Sequence, residues 1–358
     1  MKRVISFILC GAMVLSLCMM TGCGKKENEQ KPIGAGKWYM TSRASYDEDG
    51  ILDEEWNWQY DRDGRLTLYS SASPAGLFNG YCLFSNNYGF FSYDNEGRLE
   101  RRSDSDENTE YKAYYDAAGV LRLEDGGDDK GRLEYNEKGK SWRQFSREGD
   151  TLYLTFEATF DKNGNAIKQT YYADHTKYNR VQTKTVTEKA KTFGENMEFA
   201  SQYERTDEIE SIYEYTYDKA GNCLTQTKKD ADGKIVSTIE YTYDGQGREE
   251  SRTVTEDGIV KRHLKSYSAI GNLIQTSDYE NDQLQQTREY TFDADNRLQD
   301  ERLVTPDGET RVVVTYEYDK MGNCVKEVCY DNEGKVSGTF QMKYTFIRGA
   351  TAEPVIKI

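Results

Sequence analysis

The chain has 358 residues, 62 acidic against 47 basic, and a formal net charge of -15, a balance that argues against a nucleic-acid ligand. Only 36% of its residues are hydrophobic while 28 are tyrosine; this excludes a thick aliphatic core and suits a sheet with partly solvated faces. The two histidines, His175 and His263, lack metal-ligand spacing, and no Gly-x-Ser-x-Gly, P-loop or dinucleotide fingerprint occurs, so no enzyme, metal or cofactor is expected.

Lys2 and Arg3 precede an apolar run from Val4 to Met20, and Met20-Thr21-Gly22-Cys23 follows. The run is short for a spanning helix and ends at small residues, as a signal peptide does. The tetrapeptide resembles the lipobox read by lipoprotein signal peptidase, with Met20 where Leu is usual. The resemblance implies a signal over 1–22 and acylation of Cys23. Residues 23–36 then form a lipid anchor and polar linker holding the rest outside the cell, at the outer face of a bacterial membrane. Loss of Lys2 and Arg3 takes the net charge from -15 to -17.

From Trp38 onward the chain is a tandem array. The peptide Tyr217-Asp218-Lys219-Ala220-Gly221-Asn222 returns about every 25 residues, its aromatic anchored at Tyr217, Tyr243, Tyr267, Phe292 and Tyr318. Looser copies start at Tyr46, Tyr60, Tyr93, Tyr115, Tyr135 and Phe160. The acid accepts bonds from nearby backbone and the glycine supplies a left-handed residue, as a three-residue hairpin loop with a bulge requires. Tyr213, Tyr215 and Tyr217 alternate with Glu214 and Thr216, which is strand periodicity. A second turn follows at Asp232-Gly233, Asp257-Gly258, Asn281-Asp282 and Asp307-Gly308, so each period holds two strands. Six residues past the turn aromatic comes an apolar slot, filled by Leu52, Leu66, Leu99, Leu121, Leu273 and Leu298 and broken by Glu249, Ser141 and Ala166.

The fold class expected is all-β: antiparallel hairpin repeats forming one long, twisted, spiralling or open-shell meander sheet, with a β-propeller as the rival. At about 12 to 13 residues per strand and turn, the array holds some 25 strands. It divides into an aromatic-rich lobe over 37–174, an irregular interruption over 175–210, a regular lobe over 211–347 and a tail over 348–358. Within the interruption, Lys189 to Glu204 reads as a helix or a long excursion. Cys223 and Cys324 occupy the apolar slot and read as packing groups, with no disulfide framework among Cys82, Cys223, Cys324 and Cys329. Asp47-Glu48-Asp49-Gly50, Asp61-Arg62-Asp63-Gly64 and Asp230-Ala231-Asp232-Gly233 faintly resemble calcium loops but read as turns.

Tyr60-Asp61-Arg62-Asp63-Gly64-Arg65-Leu66 and Tyr93-Asp94-Asn95-Glu96-Gly97-Arg98-Leu99 resemble the YD repeats of rearrangement hotspot proteins, bacterial wall-associated proteins and teneurins. The resemblance spans Trp38 to Ile347 and implies a spiralling β wall. In that family a separate C-terminal domain carries toxicity or another function; no such domain is visible here, nor is an Asp-Pro-x-Gly motif.

The compositional anomaly is aromatic. Trp56, Trp58 and Tyr60 share one strand face, and Phe78, Tyr81, Phe84, Tyr88, Phe90 and Phe91 crowd a nearby segment. Exposed, they are candidate binding residues for sugar rings or a protein; buried, they pack the first lobe or cap the first sheet edge. Three functions follow: a lipid-anchored cell-surface module that binds or scaffolds glycan or protein, a toxin-system accessory that shelters or neutralises a partner, and a hydrolase with two carboxylates hidden among the acids.

Overall fold

The computed structural model describes residues 35–78, 81–104, 109–116, 118–126, 131–148, 151–173, 185–189, 196–200 and 208–354. Cys23 and the leader lie outside the described residues. Every described element is a strand. The first half holds β1 (Gly36–Tyr46), β2 (Leu52–Tyr60), β3 (Leu66–Phe78), β4 (Tyr81–Tyr93), β5 (Leu99–Asp104), β6 (Thr109–Tyr115), β7 (Leu121–Asp125), β8 (Arg132–Tyr135), β9 (Ser141–Glu148), β10 (Thr151–Phe160) and β11 (Ala166–Tyr172). β12 (Thr185–Lys189) and β13 (Asn196–Ala200) pair with each other as a small hairpin. The described part of the interruption is therefore strand where a helix was one option. The second half holds β14 (Ile209–Tyr217), β15 (Cys223–Lys229), β16 (Ile235–Tyr243), β17 (Glu249–Glu256), β18 (Ile259–Tyr267), β19 (Leu273–Glu280), β20 (Gln283–Phe292), β21 (Leu298–Val304), β22 (Thr310–Tyr318), β23 (Cys324–Tyr330) and β24 (Val336–Arg348).

The wall is one 22-stranded antiparallel meander, in which β11 takes β14 as its next neighbour. The open sheet expected from the repeat is corrected by its ends: β24 pairs with β1 from Gly36↔Arg348 to Tyr46↔Thr339, which closes the sheet into a barrel. The same ladder rules out separate propeller blades. Closure also replaces the cap expected over the first edge, since a paired edge offers no free backbone to another chain.

Turn chemistry explains why these residues make hairpins. In the turn after β2, the Gly64 N–H donates to the Asp61 carbonyl at 3.1 Å, while Asp61 Oδ1 accepts from the N–H groups of Asp63 and Arg65 at 2.9 and 3.0 Å. Gly64 sits at φ 82°, a region costly for side-chain-bearing residues. The calcium-like runs are thus turns, their lead carboxylates engaged by backbone: Asp47 Oδ1 accepts from Ile51 at 2.8 Å and Asp230 Oδ1 from Lys234 at 2.9 Å.

Successive repeats lock together through the tyrosine and the residue after the left-handed turn position, Gly247 or Asn296. Tyr243, Tyr267 and Tyr318 each donate a hydroxyl to the carbonyl of the preceding repeat's slot residue, Cys223, Glu249 and Leu298, at 2.8 to 2.9 Å. Arg248 and Arg297 bond Asp244 and Asp293 of their own turns and lie over the next ring, Tyr267 and Tyr318, at 4.5 and 4.8 Å. The side of each strand that carries the tyrosines is half-covered, whereas intervening Thr216, Glu240, Thr242, Ser266 and Glu317 are exposed.

A meander of this kind has two rims. The Tyr-Asp turns join β2 to β3, β4 to β5 and so on to β22 and β23, all at one rim. The turn at Asp47 joins β1 to β2 and so belongs to the opposite rim, which separates the Tyr46 copy from the others. β1 begins and β24 ends at the Tyr-Asp rim, where the N–H groups of Thr351 and Ala352 donate to the Asp63 carbonyl.

Candidate binding surface

The predicted aromatic cluster resolves into two faces. Trp56 and Trp58, two residues apart on β2, stack with ring centroids 6.3 Å apart and planes 12° from parallel. The turn register then sets Trp58 opposite Tyr69 of β3 and Tyr69 opposite Gly89 of β4. Tyr69 lies 6.3 Å from Trp56 and 6.1 Å from Phe91, completing a strip across three strands. Gly89 makes room for it: a Cβ there would fall 2.3 Å from the Tyr69 ring.

The strip continues into the closure seam. Trp58 packs against the cluster of Met40, Cys324 and Met342, and Tyr60 donates to the Met40 carbonyl at 2.8 Å while its ring lies tilted 5.0 Å from that of Tyr39. Burial, with a smaller contribution from Tyr39, pushes the Tyr60 hydroxyl up to about 12. Trp58 and Tyr60 are therefore partly structural, and Trp56, Tyr69 and Phe91, half-buried, form the end of the strip away from the seam.

Tyr88 and Phe90 pair with Ser70 and Leu68, hence lie on the opposite face from Gly89 and Phe91. They form an edge-to-face pair at 5.4 Å and are 46% and 47% exposed. Phe78, Tyr81 and Phe84 lie on strands whose side chains there are outside the described residues. Tyr69 escaped the sequence reading although its signal was available: counting back from the Tyr60–Leu66 bulge brings it beside Trp58.

Two further polar constructions have no sequence signal. On the tyrosine face, Glu124 accepts from Arg102 at 3.0 Å and from the Tyr135 hydroxyl, and Glu301 accepts from Arg288 at 3.1 Å and Tyr316 at 2.6 Å. The same trio recurs across half the wall. Buried Glu327 pairs with Arg43 at 3.5 Å, and burial raises its carboxyl above the usual range. Each carboxylate thus has a cationic partner. A cleft of about 310 Å³ between β17 and β20 is lined by Arg252, Lys261, His263, Asp278 and Glu280 among others, with His263 Nδ1 2.6 Å from Asp278 Oδ1. The slot cysteines pack as expected: Cys324 is buried and Cys223 half-buried, and burial pushes the Cys324 thiol up to about 11.

A family model described as "Uncharacterised protein" matches residues 230–346. No curated protein matches the chain. Among solved structures, the chain is similar to one titled TcdB2-TccC3-Cdc42, with 15% identity and a TM-score of 0.29, over 81% of this chain and 18% of that one. A porin-like protein from Bacteroides uniformis has 11% identity and a TM-score of 0.30, over 86% of this chain and 98% of its own. A Photorhabdus luminescens Tc holotoxin pore has 15% identity and a TM-score of 0.25, over 85% and 18%. The chain thus spans under a fifth of the toxin chains, and likenesses at this level carry no functional argument. β18 carries Lys261, His263 and Lys265 on one face and Arg262 on the other, so that strand offers neither face as the apolar outward band of a membrane-spanning barrel.

Proposed function

We propose that this is a lipid-anchored protein outside the cell whose closed β wall binds glycan or protein through the aromatic strip. The observation that carries the reading is the row Trp56, Trp58, Tyr69 and Phe91, held at 6.1 to 6.3 Å by the hairpin register. Flat rings in such a row suit sugar rings or a protein's apolar side chains, because the strands preset their spacing before any ligand arrives. The anchor is Cys23, and the membrane is the partner it supplies.

Retention on a polysaccharide array tests the strip. Trp56→Ala should abolish retention with the far-UV spectrum unaltered, whereas Tyr88→Ala with Phe90→Ala, on the other face, should leave it intact. Retention by Trp56→Ala would reject the site. Cys23→Ser should release the protein from membranes, and continued detergent-dependent fractionation would reject the anchor.

Closure of the sheet favours a second reading, a shell that shelters or neutralises a toxin-system partner. A partner that binds the parent chain and Trp56→Ala equally well would select it over the first. No catalytic role is assigned to any residue in either reading.

A further inference from the structure

The aromatic row ends on both sides in the same construction. Arg43 of β1 stands opposite Trp56 and Arg102 of β5 opposite Phe91, so both guanidinium groups share the face of the rings. Each lies over a ring of its own, Phe340 at 4.1 Å and Tyr111 at 4.3 Å. Each is also held by a carboxylate, Glu327 at 3.5 Å and Glu124 at 3.0 Å. The carboxylates are the hidden half of these pairs: the Glu327 and Glu124 side chains are 12% and 9% exposed, against 39% and 37% for the two arginines. A ligand lying along the row therefore meets flat rings between two fixed groups of N–H donors, with a buried negative charge behind each.

We propose that the row binds a neutral polysaccharide, laid across β1 to β6 with a guanidinium at each end. The proposal rests on the reading of the strip as a glycan site and narrows it. Sugar hydroxyls and ring oxygens are uncharged acceptors for the arginine N–H groups, while the rings cover the apolar side of each sugar. An anionic chain finds no spare positive charge: each guanidinium is already neutralised, burial holds the Glu327 carboxyl above its usual range even beside Arg43, and the chain as a whole carries -15. The rings form a single row across the strands, the shape of an extended chain, whereas a protein partner asks for a broader patch of about 800 Å² on each side. Six strands at about 4.8 Å spacing set the two arginines about 24 Å apart, the length of several linked sugars and not of one.

The test uses the full, processed chain on an array of neutral polysaccharides (β-glucan, mannan, galactan) and anionic ones (polygalacturonate, heparin), read in low salt and in about 0.5 M salt, where exposed charge contacts are screened. Retention on a neutral polysaccharide, unchanged by salt, is expected. Arg102→Met with Glu124→Gln removes the donors without leaving a buried charge unpaired, and should weaken that retention about tenfold or more. Arg288→Met with Glu301→Gln dismantles the like trio outside the six strands and should leave retention unchanged, with thermal melts of both double variants run alongside. Stronger retention on the anionic polysaccharides, lost in salt, overturns the neutral ligand and spares the glycan site. Equal retention by both double variants, with Trp56→Ala inactive, overturns the part given to the arginines. A parent chain that retains no polysaccharide overturns this inference and the glycan reading together.

Discussion

Two stretches of the same wall are held together differently. In β16, β17 and β18 no residue is buried, and cohesion comes from contacts repeated at each turn: hydroxyl to carbonyl, guanidinium over ring. In β10, Leu152, Tyr153 and Leu154 are 5%, 4% and 1% exposed. Consecutive strand residues point to opposite faces, so both faces are covered there. Phe145, Leu152, Leu154 and Tyr172 form a core cluster against Ile209, and Glu134, wholly buried, lies between Arg132 at 3.1 Å and Arg143. One sequence period therefore supports two stabilising schemes, local and additive in the second half, packed and cooperative around β7 to β10.

The largest expected effect breaks the packed region. Glu134→Ala removes the buried carboxylate that two buried guanidinium groups share and should cost about 3 to 5 kcal/mol, whereas Glu240→Ala on an exposed face of β16 should stay within about 0.5 kcal/mol. Urea titration of the two variants measures the contrast, and equal costs would erase the distinction. Next come the turn glycines. Gly221 has φ 93° and open space about it, while a Cβ on Gly64 would meet the Tyr39 hydroxyl at 2.0 Å. Gly221→Ala should cost about 1 to 2 kcal/mol from strain alone, and Gly64→Ala distinctly more, read from thermal melts.

A smaller pair sharpens the additive scheme. Phe292 stands where its neighbours have tyrosine, so its repeat lacks the hydroxyl bond. Phe292→Tyr should supply it toward the Leu273 carbonyl and stabilise by about 0.5 to 1.5 kcal/mol, and Tyr243→Phe should lose the same; a Phe292→Tyr chain no more stable than its parent would contradict the locking scheme.

The smallest effects are in pH. Hydrogen bonds from Asn222, Arg248 and Arg297 hold Asp218, Asp244 and Asp293 below the usual carboxylate range. Their folded-state values lie below the unfolded ones, so their stabilisation is present above about pH 4 and fades as pH falls further. Buried Glu327 works in the opposite sense. Burial, with Cys223 and Cys324 next in order, pushes Tyr243 and Tyr318 up to about 12. Their contribution is complete below about pH 10 and is lost as pH rises through about 12. Unfolding free energy measured across pH should therefore fall at both extremes, and a flat profile through the acid limb would contradict the turn assignment.

Much of the wall was legible because its chemistry is short-ranged. An acid, two residues and a glycine make the turn within the turn, so the hairpin, the slot opposite the aromatic and the extent from Trp38 to Ile347 follow from the chain itself. The aromatic site was half legible: Trp56, Trp58 and Phe91 fall together as register predicts, but alternation sends Tyr88 and Phe90 to the other face, a consequence obscured by reading the segment as a cluster.

What local order determined is thus the hairpin and its neighbours, because every contact involved lies within one or two repeats. Closure belongs to the tertiary structure. Whether Gly36 meets Arg348 depends on twist summed over 22 strands, to which each repeat contributes a little and none a recognisable residue. The buried Glu134 network is tertiary for a related reason: its acid looks like any surface acid until both sides of the wall are covered.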